Sequence, residues 1–256
     1  MRITRSFIPN LFTLANLFSG FTAIVHISHG EYQRAAIFIL FAAVFDMLDG
    51  IVARLFKATS ELGAELDSLC DAVSFGVAPA FLLYHVYFFE IGPLGILLSS
   101  LPALAGVLRL ARFNVMLVSF DDKDYFTGLP IPAAALTIIS YVIFIHLKNY
   151  FSPEINEIMI ISVTLITSAA MVSKIKFDNL PRPSKKSFKK RPITAISFLI
   201  GLVLIGISKG LLLFPLMILY IVVSSLRQLI IWLKETKEAS DDFDEGEDFD
   251  QRDYDL

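Results

Sequence analysis

Asp46-Met47-Leu48-Asp49-Gly50-Ile51-Val52-Ala53-Arg54, then eight residues, then Gly63-Ala64-Glu65-Leu66-Asp67-Ser68-Leu69-Cys70-Asp71: this stretch decides the fold. Four carboxylates stand at the facing ends of two strongly apolar segments. Asp46 and Asp49 are three apart, and Asp67 and Asp71 are four apart. On helices each spacing puts both carboxylates on one face. Ala53 follows Asp49 by four residues, and Gly50 and Gly63 leave room for a ligand or a backbone to come close. Carboxylates in a membrane segment are costly, face a polar cavity and mark function. A solvated helix end explains one such Asp, not four at these spacings. Hard oxygen donors without a Cys or His cluster suit Mg²⁺, Mn²⁺ or Ca²⁺ and not zinc. Mg²⁺ brings phosphate oxygens with it. The residues themselves therefore describe a metal-phosphate site at a membrane surface.

The composition agrees with a membrane setting. Of 256 residues, 55% are hydrophobic, and the mean hydropathy is +0.65. Soluble domains run at about 45–50% apolar. Runs of roughly 18 or more apolar residues recur, which predicts an all-α polytopic transmembrane bundle. The first ten residues lack a long apolar core, so no cleavable leader is expected. One cysteine, Cys70, excludes an intrachain disulfide. Nothing points to nucleic acid; membrane lipid is the expected surroundings. The four histidines are scattered, without metal spacing.

Eight spans are predicted, at about 10–28, 33–56, 64–89, 94–117, 129–147, 157–173, 193–208 and 211–233. A short turn is expected around Lys57–Leu62. Residues 1–9, with Arg2 and Arg5 beside Ile3, Phe7 and Ile8, read as an interfacial amphipathic segment ended by Pro9. The domain reading follows. Residues 10–173 form a six-helix catalytic membrane domain, 174–192 a basic loop, 193–233 two additional helices, and 234–256 an acidic tail expected to be disordered.

Charge assigns the sides. The 174–191 segment holds eight Lys and Arg, among them Lys185 and Arg191, whereas the opposite side offers Arg34, Lys148 and Lys209. The positive-inside rule puts both termini and the basic loop in the cytoplasm. The ends of spans two and four and the start of span three then share that face. Asp46, Asp49, Asp67, Asp71, Arg54, Arg109 and Arg112 converge there.

The string Asp46-x2-Asp49-Gly50-x2-Ala53-Arg54-x8-Gly63-x3-Asp67-x3-Asp71 resembles the signature of the CDP-alcohol phosphatidyltransferases, at every fixed position. The resemblance implies that family's fold and two Mg²⁺ or Mn²⁺ ions clamping the diphosphate of a CDP-linked lipid. It implies Asp46, Asp49 and Asp67 as metal ligands, and Asp71 as the base and a further metal contact. It also implies Gly50, Ala53, Arg54 and Gly63 at the CDP-lipid. Pro9-Asn10-Leu-Phe-Thr13-Leu-Ala-Asn16 resembles the family's amino-terminal pattern, so Asn10, Thr13 and Asn16 join the CDP-lipid set. Thr13 and Asn16, three apart on a helix, are expected to face the nucleotide or the metal site, with helix packing by small polar residues as the alternative.

Three further strings narrow the resemblance: Asp71-Ala-Val-Ser74-Phe75-Gly76-Val-Ala78-Pro79, Arg109-Leu-Ala-Arg112-Phe113-Asn114 and Gly128-Leu-Pro130-Ile-Pro132-Ala133-Ala134. They look like the integral-membrane phosphatidylserine synthases. CDP-diacylglycerol and L-serine are then the expected substrates, in the cell (inner) membrane, with the site facing the cytoplasm and a homodimer as the implied assembly. Arg109 and Arg112 suit a phosphate or a carboxylate. Glycerol 3-phosphate, inositol phosphate and an archaeal ether-lipid substrate stay open as alternatives. A cation transporter would need polar residues through the bilayer midplane; here they gather at one face.

Overall fold

The structure is a computed structural model that describes residues 7–56, 60–118, 125–178, 200–201 and 203–252. Among the described residues, seven helical segments are long and apolar enough to cross a membrane, by length and composition. Helix α1 spans Phe7–Ser28 and α2 spans Tyr32–Phe56. The third crossing is composite: α3, Glu61–Asp71, then a π-helical segment, Ala72–Val77, then α4, Ala78–Val86. Helices α5, Pro93–Val118, α6, Ile131–Phe144, and α7, Pro153–Val172, follow. Helix α8 runs from Leu213 to Arg252. The all-α bundle expected from the sequence is the one found.

Six of the eight predicted spans match described helices within a few residues, and the last matches the first half of α8. The seventh, 193–208, falls largely outside the described residues, where 200–201 and 203–207 are helical. Three local expectations are corrected. Pro9 does not end an interfacial helix. It lies in the first turn of α1, where a missing N–H costs nothing, and its carbonyl stands 3.3 Å from Thr13 Oγ1. Residues 1–6 lie outside the described residues. Glu61 and Leu62 belong to α3 and not to a turn, because Ser60 caps the helix by accepting from Gly63 N at 3.1 Å. The charged segment after Lys234 continues α8 to Arg252; its Lys, Glu and Ala are strong helix formers.

Helices α1 and α2 pack as an antiparallel pair through small residues. Ala23 and Ile27 on α1, and Ala35, Ala36, Ile39 and Ala42 on α2, are buried. The α2 stripe recurs every three or four residues and, continued towards the carboxyl end, arrives at Asp46 and Asp49. The face that packs the bundle thus delivers the carboxylates. On α1 the buried face runs Pro9, Thr13, Asn16, Ser19, Ala23, Ile27.

Two connections meet at the carboxylate end of the bundle. Strand β1, Tyr125–Thr127, precedes α6, and β2, Lys176–Asp178, follows α7; they pair antiparallel. Gly128, at φ +83°, lies so close to the Met171 carbonyl that a Cβ would collide with it. Its N–H donates to Ile175 O at 2.8 Å. Histidines gather at the other end. His26 bonds Glu31 at 2.6 Å, Tyr32 donates to the His85 carbonyl at 3.4 Å, and His146 stacks edge-on with Tyr87. The His26 hydrogen bond, then Arg34, holds the Glu31 carboxyl below its ordinary range.

Candidate active site

The site forms where α1, α2, α3 and α5 converge. Asp46 and Asp49 come from the last turns of α2, and Asp67 and Asp71 from α3. One oxygen from each of Asp46, Asp49 and Asp67 lies within 4.8 Å of the others. Asp49 and Asp71 are buried, each about 7% exposed. At an effective dielectric of about 20, each ionised pair at this separation repels by about 3 kcal/mol or more. Three such pairs approach the whole stability of a domain. Neutralising charge is therefore built into what the cluster requires.

The donor set fits a hard divalent cation. It is all carboxylate oxygen, and Asp67 Oδ1 is buried with no hydrogen-bond partner among the described residues, a state that costs free energy unless a ligand fills it. Asp46, Asp49 and Asp67 are the residues placed to hold such an ion.

Helix α1 holds the carboxylates from the side. Thr13 Oγ1 donates to Asp49 Oδ2 at 2.9 Å, and Asn16 Nδ2 donates to Asp71 Oδ1 at 2.9 Å. Thr13 and Asn16 are buried, at 4% and 0% exposure. Each fixes one oxygen of its carboxylate and leaves the second for another partner. Asn16 Oδ1 is buried with no hydrogen-bond partner among the described residues. The carbonyl of Asn16 accepts from Ser74 Oγ at 3.1 Å. Ser74 belongs to the π-helical segment, and such wide turns recur at functional sites. Ala78 N bonds back to Val73 O there, an i→i+5 step. The wide turn follows Asp71 directly.

The other sequence candidates divide into those drawn to this cluster and those drawn elsewhere. Asn10 approaches Gly63, where a Cβ would stand 3.4 Å from Asn10 Oδ1. The Arg54 side chain folds over Gly50: a Cβ there would stand 3.5 Å from Nη1. Ala53 is half-buried on the same α2 face. Arg109, 7% exposed, lies within electrostatic reach of Asp71. Arg112 turns away: its Nη2 donates to the Met171 carbonyl at 3.1 Å, at the last turn of α7. The two arginines read as a pair in the sequence have different neighbours in the structure.

Sequence reasoning did not single out Gly20, Ser74, Ser68 or Asn114 as working residues. Gly20 completes the α1 face of Thr13 and Asn16 at helical spacing, which was a usable signal. Ser68 Oγ and Asn114 bond one another across α3 and α5 at 3.1–3.2 Å. Nothing in spacing could show that.

A family model described as CDP-alcohol phosphatidyltransferase matches residues 6–175. The chain belongs to that family. The match ends just after α7, so α8 lies beyond it. Among individual relatives, the CDP-diacylglycerol–serine O-phosphatidyltransferase of Helicobacter pylori strain 26695 is 34% identical over 210 residues, 77% of this chain and 87% of the relative. A protein of the same name from Bacillus subtilis is 32% identical, across 72% of this chain and 97% of its own. The archaetidylserine synthase of Methanothermobacter thermautotrophicus is 38% identical, across 66% of this chain and 69% of the relative.

Proposed function

We propose that this chain transfers the phosphatidyl group of CDP-diacylglycerol to the hydroxyl of L-serine, releasing CMP and forming phosphatidylserine. One observation carries the reading. Relatives that span most of the chain carry names specifying serine as the acceptor, and the chain keeps all four aspartates, three of them with oxygens within 4.8 Å of one another.

Asp46, Asp49 and Asp67 would hold Mg²⁺ or Mn²⁺, and Asp71 would complete a two-ion site. When bound, the cations supply the positive charge that draws in the diphosphate and stabilises the charge developing on it. Asp71 takes the proton of the serine hydroxyl. Asn16 holds Asp71 Oδ1, which leaves Oδ2 for that proton. The serine oxygen bonds to the lipid-side phosphorus as the bond from that phosphorus to the CMP oxygen breaks. Arg109 receives the serine carboxylate, because its guanidinium offers a planar fork to a two-oxygen anion. Arg112 holds the end of α7. Gly50, Gly63 and Ala53 keep the floor of the site low for the nucleotide, with Asn10 and Arg54 at its edge. The positive-inside asymmetry supports a site facing the cytoplasm, in the cell (inner) membrane. A homodimer is the expected assembly, checked by light scattering in detergent.

The test is one assay: purified protein, CDP-diacylglycerol, Mg²⁺ or Mn²⁺, and a panel of acceptors, with CMP release and lipid product measured. Serine is expected to lead. Faster CMP release with glycerol 3-phosphate or inositol phosphate overturns the acceptor. The archaetidylserine synthase relative favours a second reading, with serine kept and an ether lipid as donor. Comparing CDP-diacylglycerol with CDP-archaeol decides it.

A further inference from the structure

Helices α3 and α5 run antiparallel at the site, so residues pair in rungs. Ser68 and Asn114 form the outer rung. Ser68 Oγ lies 3.2 Å from Asn114 Oδ1 and 3.1 Å from Asn114 Nδ2. The same Nδ2 reaches Glu65 Oε2 at 3.5 Å, a weak third leg. Asp71 and Arg109, within electrostatic reach of one another, lie roughly one turn deeper on each helix. On α3, taking about 100° per residue, Ser68 stands about 100° round from Asp67 and about 60° from Asp71. The clamp therefore lies on the Asp71 side of α3, with Asp67 further round. On its far flank α5 is tied by Arg112 to the Met171 carbonyl. The last turns of α5 hang between two fixed polar ties, and Arg109 is carried on them.

We propose that Asn114, through its hydrogen bonds to Ser68, is a positioning residue that sets the gap between α3 and α5 and thereby the fit of the acceptor. The proposal rests on the reading above, in which the hydroxyl of the acceptor meets Asp71 and its anionic group meets Arg109. The geometry separates two functions. The three clustered metal carboxylates sit on α2 and α3, so a change in the α3–α5 gap leaves them in place. The acceptor bridges α3 and α5, so the same change loosens it.

The experiment is a double-mutant cycle in the full-length protein: Ser68→Ala, Asn114→Ala and both together, with Ser68→Thr as the rescue that keeps a hydroxyl. Three constants are read: KM for serine, kcat, and the Mn²⁺ concentration giving half-maximal activity. Each single alanine variant is expected to raise KM about 3- to 10-fold, the span for one lost neutral hydrogen bond. The double variant should be no worse than the worse single, because one interaction is removed once. Ser68→Thr should stay near wild type, and kcat and the Mn²⁺ constant should move less than about 2-fold. Multiplying effects in the double variant, an unchanged KM, or a Mn²⁺ constant that rises with KM overturns the proposal. A wild-type protein that uses glycerol 3-phosphate and not serine overturns the acceptor assignment alone. The cycle is then read on that acceptor's KM, with the same criteria.

Discussion

Gly20→Ala should disable the site without touching any residue of the metal cluster. Gly20 lies one turn after Asn16 on the bundle face of α1. A Cβ placed there collides with the Ser74 side chain and stands 2.7 Å from the Ser74 Cα. Ordinary contacts begin at 3.4 Å. A side-chain tip could rotate away; a backbone atom in the π-helical segment cannot. Helix α1 must therefore retreat by about 0.7 Å, or the segment must deform, at a cost typical of overpacking, about 1–3 kcal/mol. The same retreat would stretch the Asn16–Asp71 hydrogen bond, now 2.9 Å, to about 3.6 Å, beyond a hydrogen bond. Displacements near 1 Å can cost about 10²-fold in rate. We expect kcat to fall roughly 10- to 100-fold and the unfolding temperature in detergent to fall by only a few degrees. Gly206→Ala is the control, since a Cβ there meets nothing within 4 Å. CMP release under saturating substrates is the assay. A Gly20→Ala protein with near-normal kcat refutes the reasoning, because α1 would then not be holding Asp71.

Asp67→Asn should remove a charged ligand and nearly abolish turnover; EDTA should stop the wild type and added Mn²⁺ restore it, and full activity in chelator would sink the metal site. Asp71→Asn should cost at least about 10²-fold in kcat, the lower bound for a positioned base, while CDP-lipid binding, read by equilibrium dialysis, survives. Arg109→Lys should raise KM for serine by losing the fork, whereas Arg112→Lys should chiefly lower the unfolding temperature. Cysteines introduced at Lys148 and Lys174 should be labelled from opposite sides of the membrane; labelling of both from one side refutes the topology.

The sequence disclosed the carboxylate cluster because charge in an apolar run is expensive and therefore stands out. Its helical spacing also placed Asp46 and Asp49 on the face that the Ala stripe buries. Hydropathy located the crossings for the same reason: burial in lipid demands length and composition, not particular contacts. What hydropathy cannot see is register. The third crossing changes from α to π geometry directly after Asp71, and no residue type there announces it. Arg109 and Arg112 looked equivalent at a spacing of three. Only the position of α7's last carbonyls separates them.

The role of α1 shows how a local motif acquires its partners only in the packed bundle. The spacing of Thr13 and Asn16 aims them at the nucleotide or the metal site, with packing as the alternative. In the structure both side chains bond carboxylates of the cluster, from two other helices. A carboxylate buried in an apolar bundle can turn about its bond, and a metal site needs that rotation fixed. One donor per carboxylate fixes it without occupying both oxygens. Thr and Asn supply a neutral donor, so they orient the charge without cancelling it, as a Lys or Arg would. Spaced one turn apart on a helix locked by Gly20 against Ser74, they hold Asp49 of α2 and Asp71 of α3 at one fixed offset. The amino-terminal helix acts as the ruler of the site, and that is a property of the packed bundle that no single helix carries in its own sequence.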